Sequence, residues 1–147
     1  MFTRILVATD GSSLSKKAVN HAIALAGTCG ADVVALKVIP RYPQSYFDGS
    51  ITLSIDDKKR VENQWAEEAQ IIVNAVKTAG EAKGVKVKAL VTKSDVVSDA
   101  VIAAARKQKA DLIVMASHGR KGVKRLLLGS ETQQVLTHSE IPVLVLK

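Results

Sequence analysis

Aromatic side chains are scarce: Phe, Tyr and Trp make up 3% of the 147 residues. A surface that stacks nucleic-acid bases needs such rings, so that function class is disfavoured and the core must be aliphatic. Cysteine occurs once, at Cys29. No internal disulfide can form, and the thiol, near the end of an apolar helical pattern, is expected to act as a small buried hydrophobe. No apolar run reaches the roughly 20 residues of a spanning helix. The opening MFTRILV lacks the long apolar region and cleavage site of a signal peptide. A cytoplasmic protein with no membrane partner is therefore expected. Acidic residues are outnumbered, 14 against 21 basic ones, for a net charge of +7. That excess favours anionic partners. The lysines are scattered, however, and no recognition helix or dense basic stripe is seen, so no nucleic-acid partner is expected.

What is present is a 47% apolar content in one chain of single-domain length, enough for a sizeable core. Residues 1–147 are expected to form one domain, with no internal repeat. Short apolar runs alternate with helical periods. Arg4 to Thr9 reads as a buried strand, and Asp10-Gly11-Ser12-Ser13 as a turn and helix cap. Leu14, Ala18, Ala22, Leu25 and Ala26 follow at helical spacing up to Gly30, and Asp32 to Ile39 is a second strand. Residues 40–57 show no period and read as a long loop. Val61, Trp65, Ala69, Ile72, Val76 and Ala79 mark a long amphipathic helix ended by Gly84, with Trp65 on its core stripe. Val85 to Thr92 alternates as a half-exposed strand. Ser94-Asp95 is placed to cap a third helix carrying Val97, Ala100, Val101, Ala104 and Ala105. Asp111 to Ala116, Ser130 to Ser139 and Ile141 to Leu146 give a fourth strand, a fourth helix and a fifth strand. Strands alternating with helices imply parallel pairing through right-handed crossovers, with helices on both faces.

The candidate chemistry lies in ASHGRKGVKRLLLGS, residues 116–130. Gly119 and Gly122 allow close backbone approach and positive φ. Gly129-Ser130 opens a helix whose free N–H groups favour an anion. Arg120, Lys121, Lys124 and Arg125 add positive charge, and Leu126-Leu127-Leu128 is expected to pack beneath. A structural reading stands beside this one: Ser130 and Gln133 fit a capping box that needs no ligand. Asp10 before Gly-Ser likewise fits ordinary turn chemistry. His118 reads as a surface residue rather than a base. His21 and His138 have no metal-ligand partner at i+4. No catalytic triad is visible by spacing.

ILVATDGS at 5–12, ADLIVMASHG at 110–119, LLLGSETQQVL at 126–136 and IPVLVLK at 141–147, in that order and spacing, resemble the universal stress protein family over essentially the whole chain. The resemblance implies an α/β fold, a single-domain Rossmann-like sandwich with a five-stranded parallel sheet of order 3-2-1-4-5 and four helices. One branch of that family binds ATP through G-x-x-G, nine residues and G-[ST]. Here Gly119 matches the second glycine and Gly129-Ser130 the close, while Ala116 replaces the first glycine. Gly122 is therefore not a motif glycine. Carried over, Ala8 and Thr9 line the adenine side and Asp10 lies near the ribose and phosphates. The backbone of Val38 meets the adenine edge, and Met115 and Ala116 approach the ribose. Gly119, Gly129, Ser130 and Glu131 present backbone or hydroxyl groups to the phosphates. Mg²⁺ enters through the phosphates, since no carboxylate cluster builds a metal cage.

The last strand is apolar on both faces yet lies at an edge in this order, an aggregation hazard unless covered. Pairing of Ile141–Leu146 with a second copy covers it, and the resemblance implies the same homodimer. The expected function is an ATP-binding stress-response regulator or sensor with at most slow hydrolysis. A dimeric interaction protein without nucleotide, supported by Ala116 and Glu131, and a small ATP-using enzyme domain are the alternatives.

Overall fold

The computed structural model describes residues 1–41, 55–119 and 128–147, with Ile55 described by its backbone alone. Its elements in chain order are β1 (Arg4–Ala8), α1 (Ser13–Cys29), β2 (Asp32–Ile39), α2 (Ile55–Glu81), β3 (Val87–Lys93), α3 (Val97–Lys107), β4 (Leu112–Ala116), α4 (Ser130–His138) and β5 (Val143–Leu146). The sheet order is β3-β2-β1-β4-β5, and each neighbouring pair is parallel. The α/β architecture and its strand order match the expectation.

The central strands are apolar along their length because both faces are covered. Ile5, Val7, Val33, Ala35 and Val114 pack with residues of α1 and α2. Leu6, Val34, Leu36, Ile113 and Met115 pack with residues of α3 and α4 on the other face. Ser12 caps α1 by accepting the Ser15 N–H, and Gly30 closes it in the left-handed region at φ 70°, where a side chain would be strained. Cys29 is half-buried and packs against the first of these clusters.

Some boundaries depart from the sequence reading. Helix α2 already begins at Ile55, inside the stretch read as loop, with Asp56 and Asp57 suiting its N-terminal dipole. Trp65 is half-buried rather than a core residue. Ser94-Asp95 does not cap α3. Val96 holds the cap position without a side-chain bond, Ser94 Oγ is engaged with the N–H and C=O of Val96, and Asp95 accepts the Arg41 N–H at 3.3 Å. Strand β5 starts at Val143 rather than Ile141. Pro142 has no N–H for the ladder, although its carbonyl accepts from Ile113 at 2.9 Å.

At the N-terminal end of the sheet, β1 is fastened to β4 by one side chain. Asp111 accepts the N–H of Thr3 at 2.8 Å, the hydroxyl of Thr3 at 2.9 Å and the N–H of Arg4 at 3.1 Å. Burial raises the Asp111 carboxyl, but these bonds together outweigh it and hold the pKa below the ordinary aspartate value.

Candidate functional site

The order of the strands reverses at β1 and β4, so a crevice opens beyond their C-terminal ends. A cleft of about 190 Å³ lies there. Ala8, Thr9, Asp10, Val38, Met115, Ala116, Gly119 and Glu131 line it. Gly129 and Ser130 do not line it, although both stand next to it at the start of α4.

Asp10 meets the β4 side across this crevice. Its Oδ1 accepts the Ser12 N–H at 2.9 Å, which is the turn chemistry read from the sequence. Its Oδ2 is directed toward Gly119, where an added Cβ would lie 2.7 Å from it. A side chain at Gly119 would have to turn that carboxylate aside, so the feature here is close approach. Positive φ, expected for Gly119, is not found there.

Ladder parity shows which amides are open to the cleft. Thr9 N–H donates to the Leu36 carbonyl on the β1 side, while Ile39 carbonyl accepts from Ser94 on the β3 side. In a parallel strand, alternate residues address opposite neighbours. Val38 therefore turns its N–H and C=O the same way as Leu36, past Ala8↔Leu36, where the β1 pairing ends. Val38 presents a donor and an acceptor to the crevice. Lys37 also reaches this point, its Nζ donating to the Val38 carbonyl at 3.3 Å.

On the other wall, Gly129 donates its N–H to the Ser117 carbonyl at 2.7 Å. This corrects one part of the sequence reading: that amide is not presented to phosphates. A Cβ here would meet the backbone of Ser117 and His118 at 3.3 Å, a tight contact. The capping box is corrected as well. Gly129, not Ser130, holds the cap position of α4, and no side-chain bond caps the helix. The first intrahelical bond runs from Gln133 N–H to Gly129 O. The amides of Ser130, Glu131 and Thr132 thus lie before the helical ladder begins, a local positive pole.

Several cleft residues escaped the sequence reading. His118, read as a surface side chain, is half-buried and lines the cleft, with Nδ1 3.2 Å from Ser117 Oγ. Thr132 is buried and donates its hydroxyl to the Ala116 carbonyl at 2.9 Å. Ser15, Lys37, Val97 and Val101 also line it. Only Ser15 had a local signal, three residues after the Ser12 cap. Arg120, Lys121, Gly122, Lys124, Arg125, Leu126 and Leu127 lie outside the described residues. Among the described residues no cluster of His, Cys, Asp and Glu forms a metal cage, and no helix is long and apolar enough to cross a membrane.

A parallel sheet with helices on both faces, and a cleft at the reversal of strand order, defines the class of doubly wound α/β proteins that bind ligands at this point. The chain belongs to the universal stress protein family, whose family model matches residues 1–147. It is 35% identical to Universal stress protein MJ0531 of Methanocaldococcus jannaschii, over 100% of this chain and 83% of that protein. The solved structure of MJ0577 from the same organism superposes with a TM-score of 0.84 at 30% identity, covering 100% of this chain and 96% of that one. Two more distant structures share the fold. A universal stress protein in complex with cAMP has a TM-score of 0.66 at 22% identity, with coverage of 99% and 97%. One from Archaeoglobus fulgidus in complex with dAMP has a TM-score of 0.67 at 16% identity, with coverage of 99% and 98%.

Proposed function

We propose that residues 1–147 act as a single universal stress protein domain that binds ATP in this cleft and serves as a stress-response regulator or sensor. The observation that carries the reading is the meeting of Asp10 and Gly119 across the crevice, beside the outward-turned amide of Val38. The donor and acceptor of Val38 suit the edge of an adenine. Asp10 is placed for the ribose and the nearest phosphates. The amides of Ser130 and Glu131 supply partial positive charge for phosphate oxygens. Family members that hold cAMP and dAMP support an adenine nucleotide as the ligand class. Asp10 and Glu131 are both acidic, so a divalent cation such as Mg²⁺, bound through the phosphates, offsets their repulsion. Hydrolysis is expected to be slow at most, since no residue of the cleft is assigned as general base or arginine finger in this reading. Calorimetry of nucleotide-free protein with ATP and Mg²⁺ should show saturable binding to one site per chain; absence of heat and of competition by ADP would overturn the reading.

A second reading, an interaction protein without nucleotide, draws on two observations: Gly129 directs its N–H to Ser117, and Ala116 stands in the cleft lining in place of the first motif glycine. ATP binding that appears only in Ala116→Gly would favour it.

We also propose a cytoplasmic homodimer through β5. Leu144 is 39% exposed on this edge strand. The carbonyls of Pro142 and Leu146 face β4, so Val143 and Val145 turn their amides outward. Val145→Pro removes an outward donor without touching the β4 ladder, and sedimentation velocity should report a monomer; an unchanged dimer would exclude this edge as the interface.

A further inference from the structure

Thr9 and Ser15 are buried polar residues at the floor of the cleft, 7% and 3% exposed. Their hydroxyl oxygens lie 3.1 Å apart. The surroundings assign both hydroxyl hydrogens. Ser15 Oγ donates to the Ser12 carbonyl at 2.9 Å, a group that only accepts. A serine hydroxyl has one hydrogen, so Thr9 is the donor in the contact with Ser15. Thr9 Oγ1 in turn accepts the Gly11 N–H at 3.2 Å. Ser12 Oγ accepts the Ser15 N–H at 3.2 Å, and Ser12 N–H holds Asp10 Oδ1 at 2.9 Å. The β1–α1 turn is thus closed by a directed chain from Gly11 to Thr9 to Ser15 to Ser12, and Ser12 grips the aspartate.

The helix cap does not require this chain. The cap is the bond from Ser15 N–H to Ser12 Oγ, and it survives the loss of the Ser15 hydroxyl. What that loss removes is the acceptor of the Thr9 hydroxyl and one of the two donors to the Ser12 carbonyl, the Lys16 N–H at 3.0 Å remaining. A buried donor without a partner is costly, so the turn must rearrange around Asp10.

We propose that Thr9 and Ser15 are positioning residues for Asp10: their hydroxyls brace Ser12, whose N–H holds one carboxylate oxygen of Asp10 at the crevice. The inference rests on the nucleotide-binding reading for its functional consequence. It leaves Thr9 lining the cleft, as the carried-over reading had it. Its hydroxyl hydrogen is engaged with Ser15 and does not donate to the base; Thr9 lines the cleft without reading the ligand.

The test is a double-mutant cycle on Mg²⁺-ATP affinity, with thermal melts in parallel. Ser15→Ala should weaken binding about tenfold in the native background. In Asp10→Asn the same change should cost less than about twofold, because no carboxylate remains to be aimed, while the loss of melting temperature persists in both backgrounds. Thr9→Val should repeat the loss and Thr9→Ser should restore most of it. Equal losses in both backgrounds, or Thr9→Val with native affinity, would overturn the proposal. If the native protein binds no nucleotide, the reading of function falls by itself. In that case, or if Asp10→Asn binds too weakly to measure, amide exchange of Ser12 in nucleotide-free protein decides. Exchange should accelerate about tenfold in Ser15→Ala and Thr9→Val but not in Thr9→Ser; native exchange rates in all three would refute the positioning role.

Discussion

Asp10 and Asp111 address the same pair of strands, β1 and β4, from opposite ends. At the N-terminal end, Asp111 is consumed by its own chain: two backbone amides and a hydroxyl donate to it. At the C-terminal end, Asp10 Oδ1 accepts the Ser12 N–H, and its Oδ2 lies toward Gly119 at the cleft. The same side chain serves as a fastener in one place and as a poised group in the other. The difference lies in the sheet. At the strand starts Thr3 and Arg4 lie beside Asp111 and supply the donors, whereas the ends of β1 and β4 diverge where the order reverses and leave room for a ligand.

The comparison can be broken at either aspartate. The largest effect is expected from Asp10→Ala, which removes a charged hydrogen-bonding group from the ligand site. Nucleotide affinity should fall roughly tenfold to a hundredfold, the equivalent of about 1.5–3 kcal/mol. The melting temperature should barely move, since Ser12 N–H is solvent-accessible once released. A large drop in melting temperature would make Asp10 a second fastener. Gly119→Ala follows, with about a tenfold loss of affinity as the new methyl displaces the Asp10 carboxylate; titration by calorimetry reads it directly, and native affinity would show that Asp10 need not sit there.

Asp111→Ala should behave in the opposite way. Two amides lose a charged acceptor at a partly exposed site, a cost of about 1–2 kcal/mol, or a fall of roughly 2–8 °C in melting temperature, with nucleotide affinity unchanged. A change in affinity instead would erase the contrast. The smallest effect concerns pH. The Asp111 pKa is depressed in the folded state, so its contribution is fully present above the unfolded value, about 3.9. It is lost as pH falls through the lower folded value. Below about pH 4 the stabilities of native protein and Asp111→Asn should therefore converge; chemical denaturation at pH 3 and pH 7 tests this, and a constant gap would refute it.

Much of the fold was legible because strand and helix periods are local. The buried run Ile5-Leu6-Val7, the Ser12 cap and the Gly30 stop each carry their own signature. The cleft was legible in part. Asp10 and Gly119 stand at strand ends, and the reversal of strand order brings such ends together. What was not legible depended on partners distant in sequence. Ser130 and Gln133 have capping-box spacing, yet Gly129 takes the cap because its amide is anchored to Ser117. His118 looked like a loop residue, and it lines the cleft. Ser94-Asp95 looked like a cap, but Ser94 turns to Val96 and Asp95 to Arg41. Short polar side chains choose among several nearby backbone groups, and only the path of the chain decides which is nearest.

By itself, then, the sequence determined the alternation of strands and helices, the aliphatic core and the family pattern, because each is written in residues close together along the chain. Tertiary structure alone decided that Val38 opens its amide to the crevice, that Gly129 closes its own, that Thr9 and Ser15 brace Asp10, and that Asp111 does no more than fasten. These are matters of register and hydrogen-bond direction, set by which strand lies beside which and where each pairing stops.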